Sequence, residues 1–476
     1  MDIEEFVKKN MRQQKDENEI IEKLTTIIEY YKNINSKQAK LLSKTVYDEV
    51  KTTENLDKTE LKKLLDYPKT NIHMGEFGVG SRGQGDFYVH NQIAQIIKNT
   101  DTSSIVNPTA QDDGGVVKVE DTYYITTAID GIHSRLSDYP FLAGFHTARA
   151  TLRDVCVMGA NPVALISDIH LADDGDVGKI LDYTAGICAV SELTQVPLVS
   201  GSTLRIGGDM VLGDRLVGAV GAVGSSNTLP KARSNAKEGD LILMTEGCGG
   251  GTITTTSIYN NYPEVIKETL NVQFIKASQL LNNYPSEDKI HAMTDITNGG
   301  IIGDSNEINK TTGLGIHLYS ENIKNLINSK VYNMLDNLDI DVLGVSVDSL
   351  MIIVSEEESD TIIRLLNENK IKTDVIGKIT NTGKTYLEDE SGNIKQLVPK
   401  FREAAYTPIK KVIDSINEVD FEENKKTINH ATVESIKKKD EIVSWIKSRY
   451  EWKRTISIIW WSTCNNYSIY YYDSLF

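Results

Sequence analysis

The residues best placed to do chemistry are the carboxylates Asp112, Asp113 and Asp130, which stand close to the start and end of two strand-like runs. Val116 to Val119 and Thr122 to Ile129 are rich in β-branched and aromatic residues, and Glu120-Asp121 between them suits a two-residue hairpin turn. Pairing Val119 with Thr122 sets Asp113 opposite Ala128 and Gln111 opposite Asp130. Three acids then share one end of the ribbon. Like charges that close repel unless a cation or a proton sits among them, and an all-oxygen site favours Mg²⁺ completed by water and phosphate oxygens. Magnesium with a nucleotide is the first chemistry to consider.

The elements that must position these acids are legible on either side. Leu142, Phe145, Ala148, Leu152, Val155 and Met158 repeat at helical spacing, which predicts a helix over 141–158 that stops at Gly159. Asp154 sits beside that apolar stripe and needs a partner: Arg149, Arg153 or the same metal. The competing reading makes Asp112, Asp121 and Asp138 turn residues and Asp154 a satisfied ion pair.

Two glycine-rich stretches could face an anion. MGEFGVGSRGQGD, over 74–86, offers Gly75, Gly78, Gly80, Gly83 and Gly85. Gly78, Gly80 and Gly83 satisfy a GxGxxG pattern, but no strand precedes it and no βαβ unit encloses it, so it reads as a flexible loop or a backbone anion cradle rather than a dinucleotide fingerprint. Asp240 to Thr245 reads as a buried strand that leads through Gly247-Cys248-Gly249-Gly250-Gly251-Thr252 to a helix over 253–260. Strand, glycine loop and helix N-terminus make either an anion site or a tight packing joint; it is no Walker A loop, since no Lys follows the last glycine. Further on, Asp295 ends a strand and Gly299-Gly300 opens a helix, so Asp295, Thr297 and Asn298 face a cleft or form a helix N-cap cluster.

These segments together carry a resemblance. Asp112-Asp113-Gly-Gly-Val, Ala128-Ile-Asp130-Gly-Ile-His133-Ser-Arg-Leu, Arg153-Asp154-Val-Cys-Val-Met-Gly-Ala-Asn-Pro and Asp295-Ile-Thr-Asn-Gly-Gly-Ile come in the order of the aminoimidazole ribonucleotide (AIR) synthetase superfamily. The match spans roughly 71 to 400 and is similar above all to archaeal AIR synthetase-related proteins. It implies an α/β (α+β), PurM-like two-domain fold: an ATP- and Mg²⁺-binding domain over 71–228, a second domain over 229–405, a helical extension over 1–70 and a helical, aromatic tail over 406–476. It implies Mg²⁺ on Asp112, Asp113, Asp130 and Asp154, phosphates on Gly78, Gly80, Ser81, Arg82, Gly83 and Gly85, and His133, Arg149, Arg153 and Asp295 in the cleft. His133 equally suits a packed or capping role. Homodimers whose first domains pair their sheets are implied as well.

The chain departs from the pattern at three places. Ser202 stands where many members have an acidic metal ligand, and no Cys occupies the glycine segment as it does in selenophosphate synthetases. Cys464 is followed by twelve further residues, so the terminal reactive cysteine of the hydrogenase maturation protein has no counterpart. The expectation is an enzyme that activates an oxygen of a small-molecule substrate by phosphoryl transfer; a non-catalytic nucleotide-binding assembly factor and a metabolite-binding regulatory subunit are the alternatives.

Composition bounds the rest. At 476 residues the chain is long enough for two domains plus extensions, and a net charge of −16 argues against nucleic acid or an anionic membrane as partner. Four scattered cysteines give no zinc or disulfide framework, and no run approaches the roughly 20 apolar residues of a membrane span, which fits a cytoplasmic protein. Apolar positions such as Ile20, Leu24 and Ile28 predict amphipathic helices near the start, and all four tryptophans, Trp445, Trp452, Trp460 and Trp461, fall near the end.

Overall fold

The computed structural model describes residues 1–56, 61–285, 289–297, 299–416 and 420–450; Asn298, Trp452, Trp460, Trp461 and Cys464 lie outside these. The chain opens with α1 (Ile3–Arg12), α2 (Glu17–Tyr31) and α3 (Ser36–Glu54). Asp2, Asp16 and Asn35 cap the three N-termini with side-chain oxygens, and Gln38 completes a capping box with Asn35. Their apolar stripes close on one another and on Leu212. The helix α4 (Lys62–Leu65) falls with the last helix in a separate small unit, while everything from Ile72 to Phe421 belongs with α1 to α3 in the larger one.

In the larger unit α5 (Met74–Phe77) and α6 (Gln84–Lys98) precede a first sheet made of β1 (Gly115–Glu120), β2 (Tyr123–Gly131), β3 (Asn161–Leu171), β4 (Leu198–Arg205) and β5 (Leu216–Ser226). The strand order is β1-β2-β5-β3-β4, antiparallel except for the β3–β4 pair. One face is covered by α7 (Pro140–Val157) and α8 (Gly178–Thr194), around a core that includes Phe145, Leu152, Leu165, Ile187 and Val220. Tyr124, Thr126 and Asp130 alternate toward the helices, and Ile125, Thr127 and Ile129 face away.

The second sheet takes β6 (Leu241–Thr245), β7 (Ile290–Ile296), β8 (Gly315–Tyr319), β9 (Ser349–Val354), β10 (Thr373–Thr380), β11 (Thr385–Glu388) and β12 (Ile394–Leu397), in the order β12-β11-β8-β10-β6-β9-β7. Its helices are α9 (Gly251–Tyr259), α10 (Pro263–Thr269), α11 (Gln273–Asn282), α12 (Gly300–Thr312), α13 (Ser320–Asn325), α14 (Ser329–Asn337) and α15 (Glu356–Glu368). Both faces are covered, so β9 is buried at every position and reads SLMIIV without alternation. The chain continues through α16 (Pro408–Ile416) into α17 (Phe421–Tyr450). This is an α/β architecture with two sheets, as the sequence implied.

One local expectation needs correction. The hairpin is present, but its register is shifted: Glu120 pairs with Tyr123 and Lys118 with Tyr124, and the extra residue, Val119, bulges out. Asp113 therefore precedes the ladder and is not paired with Ala128. Ser202 lies on β4, an exposed edge strand. The strand β5 begins at Leu216, after a loop over 206–213 pinned to α1 by Ile3 N–H on Met210 O at 2.9 Å.

The helices α7 and α8 touch backbone to backbone. A Cβ on Gly144 would lie 2.0 Å from the Tyr183 carbonyl oxygen, and one on Gly186 2.1 Å from that of Phe141. Gly144→Ala is thus expected to destabilise the protein by roughly 1–3 kcal/mol; urea unfolding measures it, and an unchanged midpoint contradicts this crossing.

Candidate functional site

A cavity of about 680 Å³ opens where the end of β2, the helix α7, the end of β7 and the start of α9 meet. Each wall follows from local structure. Asp130 is the last helix-facing residue of β2, Asp295 is the penultimate residue of β7, and Arg149 and Arg153 are one helical turn apart on α7 with Asp154 beside them. Asp112 and Asp113 enter from the segment just before β1.

The lining residues include eight acids, Asp86, Asp112, Asp113, Asp130, Asp154, Asp295, Glu307 and Asp348, against four arginines, Arg82, Arg149, Arg153 and Arg233. The guanidinium groups hold this excess together in two nodes. Arg153 meets Asp295 and Asp348 and lies 3.5 Å from Asp154. Arg233 reaches Asp113 at 2.7 Å and Glu307 at 2.9 Å, donates to the Thr294 hydroxyl at 2.6 Å, and gives its backbone N–H to Asp112 at 3.1 Å. Thr294 in turn donates to Asp113 at 2.8 Å.

Pairing is incomplete. Asp112 Oδ2, Asp130 Oδ2 and, behind them, Asp304 Oδ2 are buried without a hydrogen-bond partner, and the carboxyl groups of Asp130 and Asp154 are near enough to act on one another. Burial pushes Asp113 up to about 7. It also raises Asp112 and Asp130, and lifts Asp154 and Asp304 well above the usual carboxylate range, with neighbouring acids adding to each. Such a site takes up either protons or a cation. Among the described residues no three His, Cys, Asp or Glu side chains are gathered as a ready metal cluster. The four carboxylates expected to bind Mg²⁺ line one cavity but fall in two pairs, Asp112 with Asp113 and Asp130 with Asp154. Orphaned carboxylate oxygens in an acid-rich wall fit a hard divalent cation completed by water and phosphate oxygens.

The other predicted positions divide. Gly80 and Arg82 line the cavity; Asp86 fixes their turn by accepting from Gly80 N–H at 2.8 Å and Arg82 N–H at 2.9 Å. Gly78, Ser81, Gly83 and Gly85 do not line it. A Cβ on Gly83 would lie 2.2 Å from Phe401 O, one on Gly85 1.8 Å from Phe77 O, and Gly78 packs on Arg402. These glycines allow close chain approach, and Ser81 O accepts from Glu403 N–H at 2.8 Å. His133 lines the cavity with both ring nitrogens engaged, Nδ1 with Thr255 Oγ1 at 3.0 Å and Nε2 with Tyr406 OH at 3.1 Å, the packed role allowed for it. Arg149 is a buried tie to Asp348 and to the carbonyls of Thr269, Asn271 and Gly249. Ser202 is exposed on β4 and outside the lining, so its replacement of an acid leaves this cavity unchanged.

Sequence reasoning missed Arg233, Asp304, Glu307, Asp348 and His146. Only Asp304 and Glu307 carried a signal, an i, i+3 acid pair on one face of α12.

Comparison with known proteins adds to this geometry. The N-terminal domain of the AIR synthase related proteins matches residues 111–225, and their C-terminal domain residues 237–390. Uncharacterized protein MJ1416 of Methanocaldococcus jannaschii is 53% identical over 454 residues, 94% of this chain and 99% of its own. A selenide, water dikinase of Clostridium botulinum is 25% identical over 318 residues, 62% of this chain and 88% of its own. The hydrogenase maturation protein HypE in complex with ATP shares the fold at a TM-score of 0.50 and 18% identity, covering 67% of this chain and 96% of that one.

Two outcomes follow from the charge arrangement. Arg233→Met strands Asp113 and Glu307 and is expected to cost about 3–5 kcal/mol, measured by urea unfolding; a change under about 1 kcal/mol contradicts the role of Arg233 as a counter-ion. Burial pushes His133 down to about 4, whereas the unfolded ring titrates near 6.5. Its contribution is therefore present above that pH and is lost as pH falls toward 4. The wild type should lose more stability between those pH values than His133→Gln does, and equal losses by chemical denaturation contradict a neutral buried ring.

Proposed function

Because the chain belongs to the AIR synthase related family, we propose that it is an ATP- and Mg²⁺-dependent enzyme that activates an oxygen of a small-molecule acceptor, an amide, carbamoyl or phosphate group, by phosphoryl transfer. The observation that carries this reading is the wall of excess acid with buried, unpartnered carboxylate oxygens. Phosphoryl transfer asks little covalent help from a protein and much from cations fixed around the transferring group. Asp130 with Asp154, and Asp112 with Asp113, would hold Mg²⁺, whose chemistry is to neutralise charge on the phosphate oxygens. Gly80 N–H is already taken by Asp86, so the phosphate contact on that wall is the Arg82 guanidinium, which lies 3.9 Å from Glu307. Arg153 and Asp295 hold the carboxylates in place. A selenide, water dikinase and an ATP-bound HypE among the similar proteins support a nucleotide here.

The outer face of the first sheet supports a homodimer. Ile129, Ile166 and Leu204 lie on that face and are 70%, 43% and 55% exposed, an apolar surface that a second copy would cover. Among the described residues no helix is long and apolar enough to cross a membrane, and Cys156, Cys188 and Cys248 are free, which supports a place in the cytoplasm.

Purified protein with Mg²⁺ and ATP should release phosphate, and Asp130→Asn should lower that release about a hundredfold while the circular dichroism spectrum is kept. Equal release by the variant overturns the assignment; tight ATP binding with no release for any acceptor supports the assembly-factor reading instead.

A further inference from the structure

Asp86 is used differently from the other acids on the cavity wall. It is 1% exposed, and both of its oxygens are taken by backbone amides, Oδ1 by Gly80 N–H at 2.8 Å and Oδ2 by Arg82 N–H at 2.9 Å. His90 Nε2 lies 3.5 Å from Oδ1. The charge of Asp86 is directed at the backbone of a turn, where the oxygens of Asp348 go to two guanidinium groups and Asp112 and Asp130 each keep one oxygen unpartnered.

The turn itself is strained at one place. Gly78, Gly80 and Arg82 have left-handed backbone, at φ +73°, +80° and +44°. Glycine adopts that conformation freely, whereas arginine keeps it only where its surroundings enforce it. Glycine at 82 would remove the strain, so what the position gains from arginine is the side chain, which lines the cavity 3.9 Å from Glu307. The flanks of the turn are fixed as well. Ser81 O accepts from Glu403 N–H at 2.8 Å, Gln84 N–H donates to Lys400 O at 3.1 Å, and the Arg402 guanidinium donates to the carbonyls of Gly75 at 2.8 Å and Glu76 at 2.9 Å. On the opposite side a Cβ on Gly299 would lie 2.9 Å from the Arg82 carbonyl oxygen, so glycine there leaves room for it.

We propose that Asp86 is a positioning residue for the phosphate contact: by holding the amides of Gly80 and Arg82 it keeps residue 82 in its left-handed conformation and so aims the Arg82 guanidinium into the cavity. This deepens the functional reading above and rests on it for the phosphate. The effect of Asp86 on turnover passes through Arg82, and the stretch from Lys400 to Glu403 is the outer half of the same brace. An arginine whose backbone is fixed before the nucleotide arrives gives up less freedom on making its contact.

A double-mutant cycle on the full-length protein tests this. Asp86→Asn keeps the side-chain volume but turns an NH₂ group toward one of the two backbone N–H groups, and Arg82→Met removes the guanidinium. Affinity for a non-hydrolysable ATP analogue with Mg²⁺, and phosphate release from Mg·ATP, are measured for the wild type, both single variants and the double variant, with circular dichroism to check the fold. Asp86→Glu, which keeps the charge but moves the oxygens by one methylene, takes the place of Asp86→Asn in the cycle should that variant not fold. Each single variant is expected to lower affinity or release about tenfold or more, and the double variant to match Arg82→Met alone within about twofold, because Asp86 acts through a side chain already gone. Additive losses in the double variant, or an Asp86 variant equal to the wild type, overturn the positioning role. If the wild type neither binds the analogue nor releases phosphate, the functional reading falls, and a crystal structure of the Asp86 variant decides the positioning by itself. Arg82 out of the left-handed region with its guanidinium off the cavity wall supports it, and an unmoved Arg82 overturns it.

Discussion

The structure depends on one electrostatic constraint: more carboxyl groups than guanidinium groups line a single recessed cavity. In water the imbalance would be trivial. Behind protein walls each unmatched carboxylate loses its hydration, so the fold has to supply a fixed cation, accept a proton, or wait for a ligand. All three are visible. Arg153 and Arg233 are the fixed cations, burial raises Asp113, Asp130 and Asp154 toward holding a proton, and Asp112 and Asp130 each keep one oxygen without a partner.

The same arginines join the two sheets. Arg153 sits on α7, under the first sheet, and its partners Asp295 and Asp348 belong to the second. Arg233 lies in the connection between the sheets and reaches back to Asp113 and forward to Glu307 on α12. Ion pairs that are buried this way add little net stability against an apolar alternative, but they tolerate no removal of one partner. Their effect is to fix where the two lobes meet, and hence the spacing between the acid wall and the start of α9.

Much of the fold was legible because its signals are periodic and local. The stripe from Leu142 to Met158 located α7 to within a residue, and the apolar run from Asp240 to Thr245 located β6. What escaped was set by contacts distant in sequence. The hairpin register turned on a bulge at Val119 that no propensity announces. Gly83 and Gly85 read as phosphate-facing because glycine density is the same signal for an anion cradle and for close packing; the Phe401 backbone, more than 300 positions away, decides for Gly83, and the Phe77 carbonyl decides for Gly85. The clustering of Asp112, Asp113, Asp130 and Asp154 in one cavity was expected, but Arg233 and Asp348 carried no spacing that could have marked them as its counter-charges. Family resemblance supplied the order of the motifs; it did not supply the partition of the acids into two pairs.

The most direct test of the account is a crystal structure grown with Mn²⁺ in place of Mg²⁺ and an ATP analogue, read by anomalous scattering. The account predicts metal peaks at ligating distance from Asp130 and from the Asp112–Asp113 pair, with the analogue's phosphates on the same ions. A cavity holding neither metal nor nucleotide at saturating concentrations, its acids matched by arginines and protons alone, would contradict it.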